Sequence, residues 1–115
     1  MPLKPIKLKD RLQKIKKHPF DILNFCRDNL NNGRWPGAEP FILKNEDPFW
    51  ALAYARDVIQ GRWPEAEPRI MKDSFLAYRY AKEVIKGPWP EAERFIKQDA
   101  AAWSIYTDKV LLHKM

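Results

Sequence analysis

The sequence predicts an all-α fold, a short α-solenoid or helical-repeat array of about four two-helix units, and three observations predict it. The phrase Gly61-Arg62-Trp63-Pro64-Glu65-Ala66-Glu67 recurs as Gly33-Arg34-Trp35-Pro36-Gly37-Ala38-Glu39 and as Gly87-Pro88-Trp89-Pro90-Glu91-Ala92-Glu93. The period is 28 residues from Gly33 to Gly61 and 26 from Gly61 to Gly87, the longer interval holding the extra pair Asn45-Glu46. Between the phrases the apolar residues follow a helical spacing, Ala51, Tyr54, Ala55, Val58 and Ile59, which returns as Ala77, Tyr80, Ala81, Val84 and Ile85 and then as Trp103, Tyr106, Thr107, Val110 and Leu111.

The elements follow in order. Residues 1–17 read as a basic arm with a first short helix, in which Leu8, Leu12 and Ile15 make an apolar stripe. Residues 8–32 form a degenerate opening repeat: Phe25-Cys26-Arg27-Asp28 matches Tyr54-Ala55-Arg56-Asp57, and His18-Pro19-Phe20 matches Asp47-Pro48-Phe49. Terminal units that depart from the pattern are what an array needs for its caps. Full repeats occupy 33–60, 61–86 and 87–115, the last with a C-terminal cap, and the whole is one domain. Within the middle unit Pro64 suits the first position of a helix, and Glu65 and Glu67 suit its first turn. Trp63, Ala66 and Ile70 share a face, and Pro68 keeps that helix short. Asp73 is the expected N-cap of a second helix, Ser74 to Lys86, and Gly87 the residue past its end. Asp47 and Asp99 hold the equivalent caps.

Composition narrows the class. A hydrophobic fraction of 45% argues for a folded chain. Apolar runs as short as Phe41-Ile42-Leu43 cannot cross a bilayer, and the opening Met1-Pro2-Leu3-Lys4-Pro5 lacks a continuous signal-peptide core, so a cytoplasmic protein with no membrane partner is expected. The one cysteine, Cys26, stands where later units have alanine and is expected to be a small buried side chain. The net charge of +6 is uneven: residues 1–18 carry all of it, and the remainder is balanced.

The recurring Trp-Pro-Glu-Ala-Glu, followed by an isoleucine, a cap aspartate and Tyr-Ala-Arg/Lys-Asp/Glu-Val-Ile, resembles the short tandem repeats in uncharacterised proteins of bacteriophages and other large DNA viruses. The resemblance covers residues 33–112 well and 8–32 weakly. It implies a helical repeat fold and a viral origin, and hence host cytoplasm as the location; it carries no activity to particular positions.

Trp35, Trp63 and Trp89 could stack bases or grip a peptide, but each lies between a helix end and a helix-starting proline, so packing between helices is the expected role. With them, Tyr54, Tyr80 and Tyr106, expected to point their hydroxyls to the rim, and Asp47, Asp73 and Asp99 form the structural set of the repeat. Glu65, Glu67, Glu91 and Glu93 read as solvated or ion-paired first-turn acids. His18 and His113 are far apart in sequence, and no metal-ligand spacing, phosphate loop or paired nucleophile and base is present, so no catalytic, metal-binding or cofactor-binding residue is expected and the chain is not read as an enzyme.

Ala53, Arg56, Asp57 and Gln60 lie opposite the apolar stripe. Outer positions change between units (Ala53, Arg79, Ile105) while Tyr54, Tyr80 and Tyr106 do not, which suits a protein-binding surface made of Ala53, Arg56, Arg79, Lys82, Ile105 and Leu112. Ile105 and Leu112 put branched apolar side chains where the preceding unit has charge, so a partner, self-association or the tail at His113 to Met115 is expected to cover them. The expected function is a viral interaction module that binds or inhibits a host factor. The alternative is a nucleic-acid binder acting through Lys9, Lys14, Lys16 and Lys17.

Overall fold

The computed structural model describes residues 18–31 and 33–112, and among these the regular structure is entirely helical. Seven α-helices occur: α1 Pro19–Asn29, α2 Glu39–Lys44, α3 Phe49–Tyr54, α4 Glu67–Ile70, α5 Ser74–Tyr80, α6 Pro90–Ile96 and α7 Ala100–Tyr106. Helices α3, α5 and α7 run directly into π-helical turns, Ala55–Ile59, Ala81–Ile85 and Thr107–Leu111. The chain is therefore all-α, and its packing is consistent with a helical-repeat array. One row consists of α1, α3, α5 and α7, each against the next; α2 packs on α3, α4 bridges α3 and α5, and α6 bridges α5 and α7. The arm at 1–17, with Lys9, Lys14, Lys16 and Lys17, lies outside the described residues.

The long helices start where the sequence places them. Asp73 accepts from the Leu76 N–H and Asp99 from the Ala102 N–H, each at 3.0 Å. Asp47 caps one turn position earlier, accepting from the Phe49 N–H at 2.9 Å, and His18 Nδ1 does the same for the Phe20 N–H at 3.0 Å, so the degenerate unit keeps its cap with a different side chain.

The short helices start later than expected. Residues 36–38 and 64–66 are turns, closed by Ala38 N–H to Trp35 O and Ala66 N–H to Trp63 O, both 2.9 Å, and the helices begin at Glu39 and Glu67. The cause is the proline after each glutamate: Pro40 and Pro68 have no N–H to continue an i→i−4 ladder from Pro36 or Pro64. Arg94 replaces that proline in the last unit, and there the helix does begin at Pro90.

The ends of the long helices also differ from the expectation. Gln60 and Lys86, not the glycines after them, adopt the left-handed conformation, with φ of 60° and 64°. Their N–H groups donate at 2.7 Å to the carbonyls of Ala55 and Ala81, five residues back, and Gly61 and Gly87 donate to the same two carbonyls. The expected helix Ser74 to Lys86 thus ends at Ile85 in a widened π turn. Gly33 answers a different need: a Cβ there would lie 2.8 Å from the Leu30 carbonyl oxygen.

The core repeats with the sequence. Trp35, Trp63 and Trp89, then Ala38, Ala66 and Ala92, then Ile42, Ile70 and Ile96, are all buried. Each tryptophan lies against an aromatic ring of the preceding unit: Phe25–Trp35, Tyr54–Trp63 and Tyr80–Trp89 have centroids 4.3, 5.0 and 4.7 Å apart. The tryptophans are packing elements between units, not a surface ladder. Tyr106 has Trp103, three residues before it, as its ring neighbour at 5.5 Å. Trp103 and Thr107 are only half-buried, a departure from the expected stripe, because no further helix among the described residues packs beyond α7.

Candidate functional site

The tyrosine hydroxyls do not reach the rim. Tyr54, Tyr80 and Tyr106 are fully buried, and each hydroxyl accepts from the backbone N–H of its own unit's tryptophan, at 2.8, 2.7 and 2.8 Å. Each then donates to a glutamate Oε2 at 2.8 Å: Glu39, Glu67 and Glu93. The second acid of the repeated phrase therefore anchors a long helix to the entry of a short one. Arg34 and Arg62 complete the first two clamps with paired bonds to Glu39 and Glu67. Burial pushes these two carboxyls up, but the hydrogen bonds from arginine and tyrosine outweigh it and hold both below the usual range. Pro88 stands where the arginine would be in the last unit, and Glu93 keeps the tyrosine alone.

Burial, with the Glu39 charge second, pushes the Cys26 thiol up to about 11; it is a fully buried small side chain, as its alanine register implies. Burial above all raises the Tyr106 hydroxyl to about 12. These groups hold the scaffold together.

The outer side of the long-helix row is different. Between α1 and α3 lies a groove of about 420 Å³, its walls Phe20, Leu23, Phe49 and Trp50, its floor including Ala53 and Val58, and Arg27 and Arg56 among its polar lining. Phe20 is 54% exposed and faces Trp50 edge-on, with ring centroids 6.3 Å apart; His18 and Phe49 also meet Trp50 edge-on, at 5.8 and 5.3 Å. Ala53 corrects an expectation: it is 3% exposed, a groove floor rather than an outer contact, because helix α1 packs alongside α3.

The other expected contact positions separate. Arg56 bonds Asp57 and, across to α5's π turn, Glu83 at 2.9 Å, which joins two units, while Arg79 reaches the same Glu83 at 3.1 Å from one turn earlier on its own helix, so both arginines are engaged in ion pairs rather than free for a partner. Arg79 also places its guanidinium 5.5 Å over the Phe49 ring. Arg79 has the register of Ala53, and its bulk occupies the surface that Ala53 leaves open one helix earlier. Lys82, Ile105 and Leu112 are exposed, the last two at 37% and 54%, and the tail expected to cover them, residues 113–115, lies outside the described residues.

Sequence reasoning missed the aromatic wall. Phe20, Phe49 and Phe75 each stand two residues after a helix cap, at His18, Asp47 and Asp73, so they recur at one height along successive helices. The same alignment that revealed the caps contained this signal.

No protein-family model, curated protein or solved structure matches the chain. Among the described residues no helix is long and apolar enough to cross a membrane.

Proposed function

We propose that the chain is a non-enzymatic interaction module that binds a partner protein through the α1–α3 groove. The observation that carries this reading is the groove itself, a concave apolar surface with exposed Phe20 and half-buried Trp50 at its walls and the pairs Arg27–Asp28 and Arg56–Asp57 beside it. Its volume falls in the range of pockets that take an apolar anchor, and large aromatic side chains are among those that dominate binding energy at protein interfaces. Taken with the sequence resemblance, the partner is a host or viral protein met in the host cytoplasm.

The test is selection from a displayed peptide library, followed by chemical-shift mapping. Selected peptides should carry a large apolar anchor, shift resonances of Phe20, Trp50 and Ala53, and lose binding in Ala53→Arg. Peptides that bind with those resonances unmoved would overturn the assignment of the groove. A second reading, nucleic-acid binding, is favoured by one observation, the concentration of the whole +6 charge in residues 1–18. It requires a steep salt dependence of affinity for random-sequence DNA or RNA that disappears when residues 1–17 are deleted.

A further inference from the structure

Successive long helices meet at three junctions, and three positions recur at each. They are Phe20, Ala53 and Asp57 between α1 and α3; Phe49, Arg79 and Glu83 between α3 and α5; Phe75, Ile105 and Lys109 between α5 and α7. The middle set is complete: Arg79 lays its guanidinium 5.5 Å over the Phe49 ring and bonds Glu83 at 3.1 Å, and Phe49 is half-buried. The first set has the ring, 54% exposed, and the acid, its side chain 55% exposed, but alanine stands where the guanidinium would come from, and all three residues line the groove. The last set has an exposed ring but a lysine in place of the acid, so a cation there meets a like charge.

The pairs already beside the groove leave room for one more bond. Arg27–Asp28 and Arg56–Asp57 each join adjacent residues at the surface, a weak class of contact. A carboxylate at this register can hold two guanidiniums at once, since Glu83 accepts from Arg56 at 2.9 Å and from Arg79 at 3.1 Å, whereas the Asp57 carboxylate, among the described residues, accepts from Arg56 only. The flanking cations are no obstacle, because Arg56 and Lys82 hold at the middle junction the positions that Arg27 and Arg56 hold at the first.

We infer that the α1–α3 groove is an arginine site: beside its apolar anchor the partner protein brings an arginine whose guanidinium covers Phe20 and bonds Asp57, as Arg79 covers Phe49 and bonds Glu83. The inference rests on the groove being a protein-binding site and adds a residue that the partner carries there. Arginine is specified over lysine because a planar guanidinium covers a ring and presents forked N–H donors to a carboxylate at the same time.

The probe is N-acetyl-arginine N-methylamide, titrated through the millimolar range into the full chain and followed by NMR, with the citrulline analogue, similar in shape but uncharged, and the lysine analogue as controls. The arginine probe should shift the Phe20 and Asp57 resonances saturably and bind about fivefold tighter than the citrulline one, the scale of one exposed cation–π contact with one surface ion pair, and tighter than the lysine one. Asp57→Asn and Phe20→Ala, both at exposed positions and each checked for an unchanged helical spectrum, should remove that preference. Ala53→Arg should abolish probe binding and show contacts between the introduced side chain and the Phe20 ring. Equal binding of the three probes, shifts that miss Phe20 and Asp57, or a preference that survives both surface variants would overturn the inference. Peptide selection keeps the two readings apart. Peptides that bind at Phe20, Trp50 and Ala53 with no enrichment of arginine would also overturn it and leave the groove a protein-binding site; a clear arginine preference with no peptide selected at the groove would count against the protein partner and leave the guanidinium site standing.

Discussion

Tyr80→Phe removes one oxygen from the centre of the molecule and leaves the ring. Two interactions end with it. The Trp63 N–H, buried and donating to the hydroxyl at 2.7 Å, loses its acceptor, and leaving such a group unsatisfied costs about 1–3 kcal/mol. The hydroxyl's own bond to Glu67, 2.8 Å long, is charge-assisted, but Glu67 is still held by Arg62 at 2.8 and 3.0 Å, so this loss adds about 1 kcal/mol. The sum, about 2–4 kcal/mol, arises without a cavity, because the ring still packs on Trp89 at 4.7 Å. At roughly 4 °C per kcal/mol for a domain of this size, the melting temperature should fall by about 8–16 °C. Thermal and urea melts give the magnitude, and hydrogen exchange gives the place: the Trp63 amide should lose protection before its neighbours do. The opening unit has Phe25 at this register, so a phenylalanine is compatible with the helix itself. A loss under about 0.5 kcal/mol with Trp63 still protected would refute the reasoning, since an orphaned amide in that core cannot be so cheap.

Three further outcomes follow from the same geometry. Lys86→Gly should raise stability by up to about 1 kcal/mol by relieving a left-handed side-chain-bearing residue, whereas Gly33→Ala should lower it through the clash with the Leu30 carbonyl; urea midpoints that move the other way would mean the helix ends are wrongly placed. Stability should decline on acidification, because Glu39, Glu67 and Glu83 have folded-state pKa values below their unfolded ones: their contribution is present above about pH 4.3 and lost as pH falls through the folded values. An unfolding free energy that stays flat down to pH 3 would contradict the clamps. Pro88→Arg should complete the third clamp by offering Glu93 the partner that Arg34 and Arg62 supply to Glu39 and Glu67, with a gain of up to about 1 kcal/mol that high salt reduces. A gain insensitive to salt would show another cause.

Local physics explains why so much of the fold is legible. A cap aspartate, an apolar spacing and a proline each act within a few residues, and three copies of one phrase let each check the others; that is how the helices, the buried tryptophans and the Cys26 register could be read from the chain. The sequence also holds the reason for the late helix starts, since Pro40 and Pro68 are visible, but weighing a missing N–H against a favourable Pro36 or Pro64 requires the turn geometry. The tyrosines are a different matter. Their hydroxyls find the Trp35, Trp63 and Trp89 amides across 17 to 19 residues, and a period that places a ring in the core says nothing about where its oxygen ends. Ala53 shows the limit most plainly: its helical phase assigns it to the outer face, yet α1 lies beside it and turns that face into the floor of a groove. What the chain determines alone is which side of each helix is apolar; which neighbour comes to lie on the other side, and whether it leaves a gap, depends on side-chain volumes brought together only by packing.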